Sequence, residues 1–306
     1  MKTKMLTLDG LDVRYAVEAP KKGKVRGRML VLPGFTEFIE KHQDQIDGFA
    51  AMGLDVLSID WPGQGLSTRT ADGHPYKIHS PSFSQHLRAI RGAMEDAGWM
   101  DGKQPVMIFG HSMGGHLGLR LAHDLKAGGV VDVKGVMLSA PMILIPVVMS
   151  KLTLSLLTGI CRLGFSKKGV PGQQGFSRSS DGFNPLNVLT RDPEGYMLQH
   201  NLFEENPKLK TRGPTFGWVR AALVSCLKTT SNECWMRGLD FPVQAHLAGN
   251  ELVVHRSASK KYLSLIKGVD IHVYDNARHE LMLELPEVRQ AVWAKLGQFV
   301  DKHLKV

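Results

Sequence analysis

The sequence predicts an α/β protein, a mostly parallel sheet with helices on both faces and a helical cap inserted late in the chain. Three observations carry this. Short apolar runs alternate with helix-period segments up to residue 140 and again from 242, the pattern of strands joined by crossover helices. The intervening stretch, 141–241, has a different texture, with apolar and glycine-rich parts and two further helical patterns. Finally, a serine with glycines two residues away on either side, Gly110-His111-Ser112-Met113-Gly114, joins an apolar run to a helix-like segment.

Each element has its own signal. Segments 5–8 and 13–17 flank Asp9-Gly10 and predict an antiparallel hairpin. Core strands are predicted at 29–32, 56–59, 106–109, 136–138, 243–247 and 271–274, all short and apolar as strands covered on both faces must be. Helices are predicted at 41–52, 82–97, 115–126, 258–266 and 287–303. The core is therefore divided into 1–140 and 242–306. The cap, 141–241, follows the sixth core strand. Within it, 142–165 is strongly apolar, 167–182 reads as loop, and 191–209 and 218–235 read as helices separated by Gly213-Pro214. No internal repeat or low-complexity tract is visible.

Composition narrows the function. At 43% hydrophobic and 22% charged, the 306 residues can bury a large core and are not disordered. The three cysteines, Cys161, Cys226 and Cys234, are odd in number and form no Cys-x-x-Cys pair. That favours reduced thiols and a cytoplasmic setting. The N-terminus lacks the apolar run of a signal peptide, and no stretch of about 20 apolar residues predicts a spanning helix. A net charge of +9 suits a basic surface, with peripheral contact to an anionic membrane as one use of it. No lysine-arginine block with interleaved aromatics, helix-turn-helix or zinc-finger spacing points to nucleic acid.

The serine motif carries the chemistry. Gly-x-Ser-x-Gly between a strand and a helix is how an α/β-hydrolase fold presents a nucleophile on a strained turn, where flanking side chains would collide. A serine hydroxyl needs a base and a carboxylate to orient that base, and in this fold the acid and the histidine follow the serine in chain order. Glu251 follows strand 243–247, and His279 follows strand 271–274, so both fall on the sheet edge that holds Ser112. Asp240 and Asp270 precede their strands, and Asp275 is too near His279 in sequence, which leaves Glu251 as the orienting acid. Oxyanion donors are expected from the backbone of Met113, just past the serine, and of Phe35, in the Pro33-Gly34-Phe35-Thr36 loop. His279-Glu280 begins like a zincin helix but lacks the second histidine. His116 and His123 lack a third ligand, and Gly63-Gln64-Gly65 is neither a P-loop nor a dinucleotide fingerprint. It reads as a tight loop near the strand edge.

These residues support a resemblance. Pro33-Gly34-Phe35-Thr36-Glu37, Asp60-Trp61-Pro62-Gly63-Gln64-Gly65-Leu66-Ser67, Gly110-His111-Ser112-Met113-Gly114-Gly115 and Ala277-Arg278-His279-Glu280 resemble the α/β-hydrolase serine hydrolases of the lysophospholipase L2 and monoacylglycerol lipase group. In the cap, Asn184-Pro185-Leu186 and Gly213-Pro214-Thr215-Phe216-Gly217-Trp218 are similar to bacterial lysophospholipases. The resemblance implies Ser112 as nucleophile, His279 as base, and Phe35 and Met113 as oxyanion donors. Two departures stand out: Pro33-Gly34 where many relatives have His-Gly, and Glu251 where most have Asp.

The expectation is thus a cytoplasmic serine hydrolase of carboxylic esters, foremost of a lysophospholipid or monoacylglycerol, needing neither metal nor organic cofactor. The apolar cap residues 142–149 with Leu152, Leu154, Leu156 and Leu157 suit an acyl-chain tunnel or an interfacial face, or simply pack the cap on the core. Lys167, Lys168 and Arg178 suit a phosphate headgroup or anionic lipid, or a solvated loop. The alternatives are a small-ester or C–C bond hydrolase, or an acyltransferase, on the same scaffold. A non-catalytic binding protein fits less well, because the Ser-acid-His order is intact.

Overall fold

A computed structural model describes residues 1–20, 23–71, 73–145, 151–171 and 182–304. Strands β1 (Lys2–Leu8) and β2 (Leu11–Glu18) form the antiparallel hairpin, with Asp9 and Gly10 both at positive φ in its turn. The remaining strands are β3 (Gly27–Leu32), β4 (Leu54–Ile59), β5 (Val106–His111), β6 (Val133–Ser139), β7 (Val243–Ala248) and β8 (Asp270–Tyr274). They build one sheet in the order β1-β2-β4-β3-β5-β6-β7-β8. β2 pairs antiparallel with β4, and every pairing from β4 through β8 is parallel. This is the α/β-hydrolase architecture that the sequence predicts. β3 and β5 are buried along their whole length, which is why they read as unbroken apolar runs.

Helices cover both faces. α1 (Gln43–Ala51) packs through Ile46 and Phe49 on one side, together with Val292, Leu296 and Phe299 of the C-terminal helix. The other side takes α2 (Phe83–Asp96) through Leu87 and Ile90, and α3 (Met113–Gly128) through Leu117 and Leu121. α3 starts immediately after Ser112 and ends on Gly129 in the left-handed conformation.

Between β6 and β7 the chain carries α4 (Lys151–Ile160), α5 (Pro193–Glu205), α6 (Phe216–Lys228) and α7 (Glu233–Arg237). α4 runs on into a π-helical turn, Cys161–Phe165. The sequence reads 218–235 as one helix, but the structure breaks it after Lys228. The run Thr229-Thr230-Ser231-Asn232 bonds back to neighbouring backbone: Thr229 Oγ1 donates to the Ser225 carbonyl, and the Asn232 side chain caps α7 by accepting from Trp235 N–H. Such side chains offer the backbone an alternative to helix. α8 (Arg256–Leu263) and α9 (Pro286–His303) complete the fold. No helix of the described residues is long and apolar enough to cross a membrane.

Candidate active site

The turn between β5 and α3 fixes Ser112 at φ 50°, ψ −115°. A non-glycine residue there is strained, and the surroundings hold it. Ser112 N–H donates to the Ser139 carbonyl of β6, and the Ser112 carbonyl accepts from the N–H groups of Gly115 and Met142. The flanking glycines are needed because neighbouring backbone passes close. A Cβ on Gly110 would lie 2.5 Å from the Gly114 carbonyl oxygen, and one on Gly114 would lie 2.0 Å from the Leu32 carbonyl oxygen. The second contact locks the elbow against the end of β3, where the Pro33–Glu37 loop begins.

Glu251 and His279 arrive from the loops after β7 and β8 and are buried together, with side chains 3% and 4% exposed. His279 Nδ1 lies 2.8 Å from Glu251 Oε2. The other oxygen, Oε1, accepts from Val253 N–H at 2.7 Å and Val254 N–H at 3.2 Å. Burial pushes the Glu251 carboxyl pKa up, but the His279 hydrogen bond and the two backbone donors outweigh it and hold it below the ordinary glutamate value. The competing carboxylates lie elsewhere. Asp240 pairs with Lys126, Asp270 opens β8 and meets His272, and Asp275 is exposed.

Ser112, His279, Phe35 and Val253 line one cavity of about 420 Å³. Part of its remaining wall comes from α5 and the segment beyond it, with Tyr196, His200, Phe203, Thr211 and Arg212. Met113 opens α3, so its N–H has no acceptor within the helix. Thr36, beside Phe35, takes φ 67°, which turns the Pro33–Glu37 loop sharply.

Side chains distant in sequence pin that loop. Trp61 Nε1 donates to the Pro33 carbonyl at 2.8 Å, and Gln64 Nε2 donates to the carbonyls of Gly34 and Glu37, each at 3.0 Å. The Phe35 ring packs on Trp218 of α6 with centroids 4.3 Å apart. The Asp60–Ser67 motif is thus a buttress: Asp60 accepts from Ile39 N–H, Leu66 N–H and Arg14 Nε. A Cβ on Gly65 would lie 2.1 Å from that carboxylate.

Three residues of the site have no role in the sequence reading. Glu37, Lys41 and Glu280 form a buried ion cluster behind His279. The four-residue spacing of Glu37 and Lys41 is a local signal for that pair, and it does not reach Glu280. Other expectations shift. Met142, Ile143, Leu144 and Ile145 are packed into the core, and residues 146–149 lie outside the described ones. Leu157 is buried, whereas Leu152 and Leu156 are exposed. Lys167 and Lys168 are absent from the cavity wall and Arg178 lies outside the described residues; among the described residues Arg212 is the cation on that wall, beside His200, whose pKa burial lowers. His116 is buried against Ser225 and Thr230, and His123 packs at a tilt against Trp235; neither lines the cavity.

The chain is similar in sequence and in fold to known proteins. The chain is 24% identical to the probable lysophospholipase L2 of Haemophilus influenzae over 90% of its own length and 84% of that protein's. It is equally identical to lysophospholipase L2 of Escherichia coli, covering 90% and 80%. Among solved structures, a soluble variant of monoglyceride lipase from Saccharomyces cerevisiae superposes with TM-score 0.76 at 20% identity, over 99% and 96% of the two chains. A thermostable carboxyl esterase from Bacillus coagulans gives 0.77 at 17%, over 99% of each. The model of the family described as serine aminopeptidase, S33, matches residues 23–286, and the chain belongs to that family of α/β-hydrolases.

Proposed function

We propose that this protein hydrolyses carboxylic esters through an acyl-enzyme on Ser112, with a lysophospholipid or monoacylglycerol as substrate. The observation that carries the reading is the buried 2.8 Å contact between Glu251 and His279, which puts an oriented imidazole on the cavity that Ser112 lines. In this reading His279 donates its Nδ1 proton to Glu251, which leaves Nε2 free to act as base. Ser112 Oγ attacks the ester carbonyl as its proton passes to His279. The imidazolium, stabilised by Glu251, then protonates the departing alcohol. The N–H groups of Phe35 and Met113 hold the oxyanion, and a water molecule activated by His279 releases the fatty acid. The chemistry draws on side chains and backbone alone.

The cap, 141–241, would select the substrate over a core formed by 1–140 and 242–306. Relatives named lysophospholipase support the lipid, as does a cavity wall that mixes Phe203, Leu189 and Val253 with His200 and Arg212. Leu152 and Leu156 of α4 and Leu163 of the π-helical turn after it are 77%, 64% and 76% exposed, with Arg162, Lys167 and Lys168 close by in sequence. Such a surface suits peripheral contact with an anionic membrane at its cytoplasmic side.

The test is labelling by a fluorophosphonate probe, together with hydrolysis of 4-nitrophenyl esters of rising chain length, lysophosphatidylcholine and monoolein. Labelling at Ser112 with turnover of the lipid esters is expected. Folded protein that takes no label ends the proposal.

A further inference from the structure

Lys41 sits in a short 3-10 helix, Ile39–His42, with its side chain 3% exposed. Its ammonium lies 2.8 Å from Glu37 Oε1, 2.7 Å from Glu280 Oε1 and 2.9 Å from Gln199 Oε1. An ammonium has three protons, so these three acceptors use all of them. They come from three separate parts of the molecule. Glu37 closes the loop that carries Phe35, Glu280 is the neighbour of His279, and Gln199 lies on cap helix α5.

Each arm reaches further. Glu37 Oε2 accepts from Gly34 N–H at the start of the loop and contacts His42 Nε2 at 2.8 Å. Glu280 N–H donates to the Leu189 carbonyl of the cap, and Gln199 Nε2 donates to the Thr36 carbonyl. Burial alone would favour neutral Lys41, but the two carboxylates beside it raise its pKa above the usual lysine range. For Glu37, burial raises the pKa, and Lys41 with the neighbouring histidines brings it well below the ordinary value. Lys41 and Glu37 therefore favour their charged forms, and separating them would leave a buried charge unpaired. A buried ion cluster adds little stability over an apolar core of the same shape, yet it holds its members at fixed distances.

We propose that Lys41 is a positioning residue, which ties the oxyanion loop, the His279 loop and the cap to one point and so sets the distance between oxyanion donors and base. This rests on the ester-hydrolase reading. Lys41 touches no substrate. It acts because a misplacement of about 1 Å at a reacting group can cost on the order of 10² in rate.

The test must separate the tie from the charge. Lys41→Met alone strands two buried carboxylates. Lys41→Met with Glu280→Gln keeps the local charge balance but removes the tie. Kinetics on 4-nitrophenyl butyrate, the rate of fluorophosphonate labelling and thermal melts are measured for wild type and the double variant. The expected result is a folded double variant with kcat about 10–100-fold lower, KM within about threefold, and labelling slowed in parallel. A cluster that serves only to balance charge would leave turnover intact, so a folded double variant within twofold of wild type overturns the proposal. Should the double variant fail to fold, Gln199→Leu removes one arm without touching a charge. A kcat lowered about threefold or more supports the tie, and an unchanged kcat overturns it. Wild-type protein that takes no label would remove the hydrolase reading itself, an outcome distinct from a normal wild type with an unaffected variant.

Discussion

Ser112 holds a backbone conformation that costs a non-glycine residue on the order of 1–3 kcal/mol, and backbone hydrogen bonds at both its N–H and its carbonyl maintain it. Because the strain resides in the backbone, Ser112→Ala keeps the fold while it removes the hydroxyl proposed as the nucleophile. Hydrolysis is expected to drop by several orders of magnitude with an unchanged melting temperature, measured by ester turnover and calorimetry. Glu251→Gln retains the size of the side chain but loses the charge that stabilises an imidazolium. A fall in kcat of about 10³–10⁴ is expected, and a near-normal rate would move the orienting role to another carboxylate. The neighbourhood of Ser112, Glu251 and His279 is legible in the sequence because each stands just past a strand, and all parallel strands end at one edge. The four-residue spacing of Glu37 and Lys41 is legible, but the reach of Lys41 to Glu280 and of Gln64 to Gly34 is not: these contacts span 239 and 30 positions, and no local period encodes them.

At the scale of elements, the site is a set of loops braced by neighbours rather than by their own sequence. The elbow presses on β3 through Gly114, where an added Cβ would lie 2.0 Å from the Leu32 carbonyl oxygen. Backbone cannot yield as a flexible side chain does, so Gly114→Ala should displace the start of the Phe35 loop. Turnover is expected to fall about 10²-fold or more, with a melting temperature lowered by several degrees. The Phe35 ring rests on Trp218 of α6. Trp218→Ala should therefore reduce kcat and also loosen α6, seen as faster hydrogen exchange in residues 216–228. The sequence reading takes Gly63-Gln64-Gly65 as a tight loop, which the positive φ at both glycines agrees with. Its buttressing of Gly34 and Glu37 emerges only once β3 and β4 lie side by side. Likewise the break before α7 depends on where Asn232 finds a donor, a choice that periodicity does not register.

For the whole molecule, the parallel core is the part most plainly written in the sequence, since strands buried on both faces must be apolar throughout. The inserted segment is harder, because its apolar residues serve two ends: Leu157 packs inward while Leu152 and Leu156 face solvent. The core also has a consequence for pH. His86, His111, His116 and His246 are buried, and burial lowers the pKa of each to about 3. In the unfolded chain these imidazoles return to about 6.5. Below that pH the unfolded state binds protons that the folded state refuses, so unfolding takes up protons and stability rises with pH. Each histidine then costs about 1.4 kcal/mol per pH unit between roughly 6.5 and 3. The interval from pH 6.5 to 5 lies above the ordinary carboxylate range, so the histidines dominate there. Urea denaturation should show a midpoint that is flat from pH 8 to 7 and falls steeply from 6.5 to 5. A midpoint constant to within about 0.3 M across that interval would mean that the four imidazoles admit protons without unfolding.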